Sequence, residues 1–550
     1  MTGEPMWAPA DGITLETNAL EAATKQDRHV IVTAGPGAGK TELLAQRADF
    51  LLRTGSCPYP RRILAISFKV DAARNLRERV RTRVGPQLAS RFDSFTFHAF
   101  AKRLIDNYRS SLTGEFALDA DYKLDRDIRV ARTQITFSDL VPFGLQVLEA
   151  APYALQALRQ TYSHVFLDEF QDSTKSQYAL VKAAFLDSDA LVTAVGDGKQ
   201  RIMAWAGAVE GIMQDAAQDF DAEILELRLN FRSAPRLRRM QNRMIAVMEP
   251  GAEVPDDELI GDEGSVNTLA FADDADEADE LADIIQRWID EGVPPSEIVV
   301  LVRQQPEFFA APLLDALAIR EIPARIDTDH QDLAAEPASA LILNFVRVVV
   351  GERQPGAYAE LMQVFDSRDD DAETGLRQDR AVKQFLADAS AAVREASWDI
   401  DSWPQLIQQF LDLVTEPVLV SLSPAYQHGE KLQKDIAGAT RALQEAIAET
   451  GSEKDALARL SGLDAVRVLT IHKSKGLEFD KVVMLGVEEE TYWGKNKREL
   501  RCIFFVGISR AKTELVLTLA RQRPRPAGFT GVWNVNRRSH RTFLNYANDD

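Results

Sequence analysis

Cysteine is nearly missing from this chain: Cys57 and Cys502 are the only two among 550 residues. Two thiols cannot build a disulfide framework, so the fold must rest on its cores, and a reducing cytoplasm is the expected setting. Long apolar runs are also lacking. The most apolar window, Ala338 to Val350, is short and carries Arg347, which makes it a core element rather than a membrane span. No basic stretch followed by an apolar run stands in Met1 to Ile13, so no secretory signal is expected. Positive charge is in deficit: 64 Lys and Arg against 84 Asp and Glu leave a net charge of −20. A surface coated in nucleic acid is disfavoured, but a local basic channel is not, because binding follows the local field. Two acidic runs, Glu253 to Glu280 and Asp366 to Glu373, are expected as solvated surface. Neither internal repeats nor low-complexity segments are evident. The length calls for two to four domains.

Against this background one segment stands out: Val30-Ile31-Val32-Thr33-Ala34-Gly35-Pro36-Gly37-Ala38-Gly39-Lys40-Thr41, followed by Glu42. It reads as a buried strand, a glycine-rich loop and a helix start. Such a loop turns successive backbone N–H groups toward one point at a helix N-terminus, which favours phosphate. Lys40 adds charge for the terminal phosphates, and the Thr41 hydroxyl can ligate Mg²⁺. Ala34 stands where the usual pattern has its first glycine.

Strand and helix signals alternate after the loop. Ile63 to Ser67, His164 to Leu167 and Leu191 to Val195 read as strands, and Asp71 to Val84 as a helix. A second series follows: helix Ala275 to Glu291, strands Ile298 to Val302, Val466 to Ile471 and Lys481 to Leu485, helix Glu499 to Lys512, and strand Leu515 to Leu519. Between its parts, Gly356 to Gly451 is helical in composition. The pattern predicts α/β architecture with parallel sheets and ligands at the strands' carboxyl ends. The basic, proline-containing tail Arg521 to Arg541 is expected as loop, with phosphate contact as its alternative.

Val165-Phe166-Leu167-Asp168-Glu169-Phe170-Gln171-Asp172 is an apolar strand ending in paired carboxylates. At a strand tip beside a phosphate loop, Asp168 can hold Mg²⁺ through water, and Glu169 can orient or deprotonate an attacking water.

With these residues in view, the chain resembles a superfamily 1 DNA helicase of the UvrD/Rep/PcrA group. Ile63 to Phe68 with Ala72-Ala73 resembles motif Ia, and Thr96-Phe97-His98 resembles Ib. Val195 to Gln200 with Trp205 to Ala208 resembles III, and Leu229 to Ser233 resembles IV. Thr470 to Phe479 resembles V, and Phe505 to Lys512 resembles VI. The motifs occur in the family's order from about Leu15 to the last strand.

The resemblance implies two RecA-like parallel-sheet P-loop domains with mainly helical insertions. The first domain would span 1–105 and 135–215, with a short insertion at 106–134. The second would span 216–355 and 456–550, with a helical insertion at 356–455. It further implies that ATP and Mg²⁺ are the cofactors. Gln200, Arg232 and Arg510 would contact the γ-phosphate, the two arginines acting as fingers across the cleft. Phe231 would stack on adenine and Glu478 would meet the ribose. Phe68 and Trp205 would stack on single-stranded bases, and Thr96, His98, His472 and Lys473 would contact the backbone. Stacking tolerates any sequence and is worth ~1–3 kcal/mol per base.

Several departures bear on function. Ala19 stands where the family carries an adenine-reading glutamine. Motif III has Met203 for the usual Tyr and Ala206 for the usual Arg, which removes one ring and one cation from the single-strand track. The insertion after motif Ib is small, and such insertions contact duplex in the better-known members. The implied activity is therefore ATP-driven 3′ to 5′ movement on single-stranded DNA, with unwinding at duplex junctions less secure. The other reading is an ATP- and DNA-sensing subunit that regulates a partner nuclease, as in an anti-phage system. An RNA track remains open.

Overall fold

The computed structural model describes residues 7–125, 128–203, 207–327, 336–351, 354–366, 372–395, 398–422, 426, 431–461, 465–494 and 496–548. Among them run fourteen strands: β1 Val30–Ala34, β2 Arg62–Ser67, β3 Phe92–Thr96, β4 Leu118–Asp125, β5 Arg132–Thr136, β6 Tyr162–Asp168, β7 Leu191–Gly196, β8 Glu223–Leu227, β9 Ser265–Asp273, β10 Ile298–Val302, β11 Ala324–Ile326, β12 Val466–Thr470, β13 Phe479–Met484 and β14 Ala511–Gln522. They form two six-stranded sheets, ordered β3-β2-β6-β7-β1-β8 and β11-β12-β10-β13-β14-β9, and one hairpin, β4-β5.

Both large sheets are parallel. Parallel strands are covered on both faces by crossover helices, so their sequences read as continuous apolar runs. In β6 and β10 every residue is buried. The helix Lys40–Arg53 covers one face of the first sheet and buries an unbroken run from Leu43 to Leu52. That run includes Arg47, whose Nε donates to Thr193 Oγ1 and whose Nη1 donates to the Ala22 and Ala23 carbonyls. The carboxyl ends of β1, β6 and β7 emerge side by side, with Val32 level with Val195 and Val165 level with Val192. The order therefore gathers the phosphate loop, the paired carboxylates and motif III at one sheet edge.

Expectations change at several points here. The first sheet does not stop at residue 215, because β8 pairs with β1 through Val30–Glu223 to Ala34–Leu227. Its sequence, EILEL, mixes charged and apolar residues, as an edge strand allows. The tail past β14 is loop, as expected, but several of its arginines are paired within the protein. Arg523 is buried between Glu277 and Glu488, 2.9 and 2.8 Å away, and Arg538 pairs with Glu490 at 2.9 Å. Glu277, expected on the acidic surface, is thus a buried ion-pair partner.

A second compact unit comprises residues 119–136 and 327–465. Its helical part centres on Phe345, which stacks on Phe410 with centroids 4.2 Å apart, and on the buried Trp403. The helix Pro337–Val350 lies in this core, so the helical segment begins upstream of 356. Among the described residues no helix is long and apolar enough to cross a membrane.

Candidate nucleotide and nucleic-acid site

The phosphate loop owes its shape to two glycines. Gly37 and Gly39 hold φ of 70° and 76°, a region that costs other residues roughly 1–2 kcal/mol. Space demands glycine at position 37 as well: a Cβ there would lie 2.2 Å from Asn230 Oδ1 and 2.8 Å from Arg232 Cβ. Motif IV therefore packs directly on the loop, and the Phe231 N–H donates to the Gly37 carbonyl at 3.0 Å. Lys40 closes the loop from the helix start, its Nζ donating to the Ala34 and Gly35 carbonyls at 3.4 Å.

At the end of β6, Asp168 is buried and its Oδ1 accepts the Glu169 N–H at 3.0 Å. Glu169 has φ 51°, a left-handed strain that persists only where surroundings impose it. Gln171 supplies part of that imposition: its Nε2 donates to Glu169 Oε2 at 2.5 Å, and its Oε1 accepts the Asp197 N–H at 3.1 Å. Burial and the neighbouring Glu169 charge push the Asp168 carboxyl up to about 7. Glu169 is also penalised by burial, but Lys475, Lys40, Gln171 and Arg510 outweigh that and hold it well below the usual carboxylate range. Two adjacent carboxyls driven apart in this way suit two different tasks.

From the second sheet, Arg510 is buried and donates to Gln200 Oε1 at 2.8 Å. Gln200 in turn donates to Asp197 Oδ2 at 2.8 Å. Burial and the nearby Arg232 pull Arg510 down to about 9, which still leaves it cationic at neutral pH. Arg232 sits beside it, donating to the Ser509 carbonyl at 3.1 Å. Lys40, Asp168, Glu169, Gln200, Arg232 and Arg510 thus converge on one seam between the sheets.

Sequence reasoning missed Lys475. Its ammonium reaches across the seam to the Gln200 carbonyl at 2.8 Å, pairs closely with Asp172, and lies 3.7 Å from Glu169 Oε2. The only available signal was its place in the motif V stretch His472-Lys473-Ser474-Lys475-Gly476. Asp172, the last carboxylate of the β6 segment, was likewise unassigned.

The other candidates fall as follows. Thr41 opens the helix after the loop. Phe231 is 65% exposed, leaving its ring free for stacking. Glu478, expected at a ribose, is held 2.7 Å from Arg232 Nε. Glu42 departs from expectation. Its carboxylate turns to Arg83 and Arg79, at 2.8 and 3.0 Å, because those guanidiniums on the helix Val70–Val84 outcompete solvent.

Phe68 follows β2 and Thr96 ends β3 level with Ser67, so the two are neighbours in register. Thr96 Oγ1 accepts the Ala99 N–H at 3.1 Å and caps the helix Phe97–Tyr108, which carries half-buried His98 in its first turn. Lys69 Nζ donates to the Lys475 carbonyl at 3.2 Å, tying this edge to motif V. His472 is half-buried and bonded to the Ile202 carbonyl; burial and Arg303 lower it to about 4, so it meets any ligand uncharged. Lys473 is half-buried beside it. Trp205 lies outside the described residues.

The residues for Mg²⁺ fit that ion. It takes one or two carboxylates and completes its shell with phosphate and water. The described residues hold no cluster of three or more His, Cys, Asp or Glu, yet Asp168 is a buried carboxyl whose ionised form burial and Glu169 disfavour more than the charges of Lys40 and Lys475 favour it, so a divalent ion would find uncompensated charge there.

Comparison with known proteins agrees with this geometry. The UvrD/REP helicase N-terminal domain matches residues 15–134 and 117–221, and the UvrD-like helicase C-terminal domain matches 382–522. The chain is 24% identical to DNA helicase II of Escherichia coli (strain K12), covering 93% of this chain and 85% of that protein. It is 24% identical to ATP-dependent DNA helicase Rep of Salmonella typhimurium, covering 90% and 89%. Identity to ATP-dependent DNA helicase PcrA of Bacillus subtilis is also 24%, covering 92% and 82%. A phosphate loop and buried carboxylates on one RecA-like sheet, with Arg510 beside the other and matches reaching both, place this chain in the UvrD/Rep helicase family of ATP-hydrolysing enzymes.

Proposed function

We propose that this chain hydrolyses ATP in the seam between its two sheets and uses the cycle to move 3′ to 5′ along single-stranded DNA. The observation that carries the reading is the Gln200–Arg510 contact at 2.8 Å, which joins a residue beside the carboxylates to an arginine of the opposite sheet. The triphosphate lies on the backbone N–H groups of Gly37 to Gly39, with Lys40 on its terminal oxygens. Asp168 and Thr41 would hold Mg²⁺, which would supply positive charge against the negative charge developing on the phosphates. Glu169, kept ionised, orients the attacking water and accepts its proton as the new O–P bond forms and the β–γ bridge breaks. Arg232 and Arg510 stabilise charge on the transferred group. Phe231 stacks on the base.

Because Arg510 and Lys475 both touch Gln200, hydrolysis and product release alter how the two sheets are tied. Phe68, Thr96, His98, His472 and Lys473 line the track whose grip that change alternates. The test is ATP hydrolysis with and without oligo(dT). Lys40→Ala and Glu169→Gln should each reduce stimulated turnover at least ~100-fold; an intact rate in either overturns the site.

A second reading is favoured by the insertion after motif Ib, whose described residues form a helix end, two short 3₁₀ turns and the hairpin β4-β5. So little structure for duplex suits a DNA-sensing subunit that switches a protein partner such as a nuclease. Strand displacement on a 3′-tailed duplex separates the two: robust unwinding by the isolated chain supports the helicase, and stimulated hydrolysis without unwinding supports the subunit.

A further inference from the structure

A pocket adjoins the phosphate loop. Its wall begins with Gly35 and Pro36 and continues through Leu229 and Asn230, the two residues before Phe231. Phe231 is fixed to the loop by the bond from its N–H to the Gly37 carbonyl, and its ring is exposed. A nucleotide with its phosphates on Gly37 to Gly39 and its base against Phe231 would bring the edge of that base to this pocket. The polar side chains lining it then bear on which base is taken.

An amide reads adenine well, because it accepts from N6 and donates to N7 at once. The pocket's own amides are committed to the protein. Asn230 Oδ1 accepts the Arg232 and Ser233 N–H groups, and its Nδ2 donates to Gln241 Oε1 at 2.9 Å. Gln241 Nε2 donates to Ser233 Oγ at 3.2 Å. Asn242 donates to the Val254 carbonyl at 2.9 Å and accepts the Val254 N–H at 2.8 Å. Asn18, next to Ala19, donates to the Glu226 carbonyl at 2.8 Å.

Charged groups line the same pocket. Arg238, on the helix Pro235–Met248, has its Nε buried with no hydrogen-bond partner among the described residues. Glu258 is exposed there. A carboxylate only accepts, and it cannot separate the two purines, since adenine and guanine both carry an amino group. A guanidinium only donates, and it can separate them. It meets O6 and N7 of a 6-oxopurine through two bonds, whereas adenine turns its N6 amino group toward it, donor against donor.

We propose that Arg238 reads the O6 and N7 edge of the base, so that GTP and ITP serve this chain at least as well as ATP. The proposal rests on the nucleotide reading above and names the substrate class of that same site as 6-oxopurine triphosphates alongside ATP.

The test measures kcat/KM of the full chain for ATP, GTP and ITP with saturating oligo(dT). The parent should turn over GTP and ITP at least as efficiently as ATP. Arg238→Leu should lower the GTP-to-ATP ratio about 5- to 100-fold, as loss of a two-bond base contact requires. The ITP-to-ATP ratio should fall in parallel, because ITP keeps O6 and N7 but lacks the 2-amino group. Arg238→Gln, which installs an amide, should shift both ratios the same way. A parent that uses ATP more efficiently than both other nucleotides overturns the proposal without recourse to any variant. Variants whose ratios match the parent's overturn it too, and in both cases triphosphate hydrolysis in the seam stands. A parent that hydrolyses none of the three overturns the nucleotide reading and the proposal together.

Discussion

Lys475 should set the acid limb of ATP hydrolysis, because its charge favours the ionised form of both carboxyls, Asp168 and Glu169. Its Nζ lies 3.7 Å from Glu169 Oε2, and among the charges around Glu169 it contributes the largest downward influence. At that separation two unit charges interact by ~4.5 kcal/mol at an effective dielectric of ~20, and by ~1.1 kcal/mol in bulk water. At ~1.4 kcal/mol per unit, deleting the ammonium should raise the Glu169 pKa by ~1 to ~3 units. The ionised base exists only above its pKa, so the variant loses its base earlier as pH falls. Lys475→Gln should therefore move the acid limb of DNA-saturated kcat upward by at least ~1 unit, and Lys475→Arg should restore it. Deleting Lys475 also strands Asp172, its close partner, so Asp172→Asn/Lys475→Gln separates folding from titration. An active Lys475→Gln or double variant with an unmoved limb would refute the reasoning.

Other outcomes follow from the buried charges. Asp168 titrates at about 7 in the folded chain against the ordinary 3.8. Its ionised form burdens the folded state above pH 7, and the burden vanishes below the ordinary value. Asp168→Asn should therefore abolish hydrolysis yet raise the melting temperature of the nucleotide-free, metal-free chain at pH 8, with no gain near pH 4. Arg523→Ala leaves Glu277 buried without its cation and Glu488 with only Arg537, 3.7 Å away, and should cost ~3–5 kcal/mol in denaturant unfolding. Thr174 and Gln177 form a reciprocal capping box on the helix Lys175–Phe185. Thr174→Ala should cost ~1 kcal/mol in the same assay, with hydrolysis rates preserved at temperatures where the chain stays folded.

The parts of this fold visible in the sequence are those whose physics is local. β1, β2, β6, β7 and β10 are buried on both faces and read as apolar runs, and the phosphate loop is written in adjacent residues. β8 and β9 escaped notice because they are edge strands, half in solvent and interrupted by polar residues. The ion pairs were hidden for another reason. Lys475 meets Asp172 across 303 positions, and Arg523 meets Glu277 across 246. Charge composition cannot reveal which acid in a run will be buried by a partner so far along the chain. Glu42 shows the same effect at shorter range: its position suggests the nucleotide, but Arg83, 41 residues on, takes its carboxylate.

The most direct test of the account removes one arginine while leaving the phosphate loop untouched. Arg510→Ala should still bind a fluorescent ATP analogue within about tenfold of the parent, since Lys40 and the loop remain, while single-turnover hydrolysis with saturating oligo(dT) falls ~10³-fold or more. Hydrolysis within threefold of the parent, with folding and binding intact, would show that the first sheet cleaves ATP without its counterpart, contrary to a catalytic seam built by both.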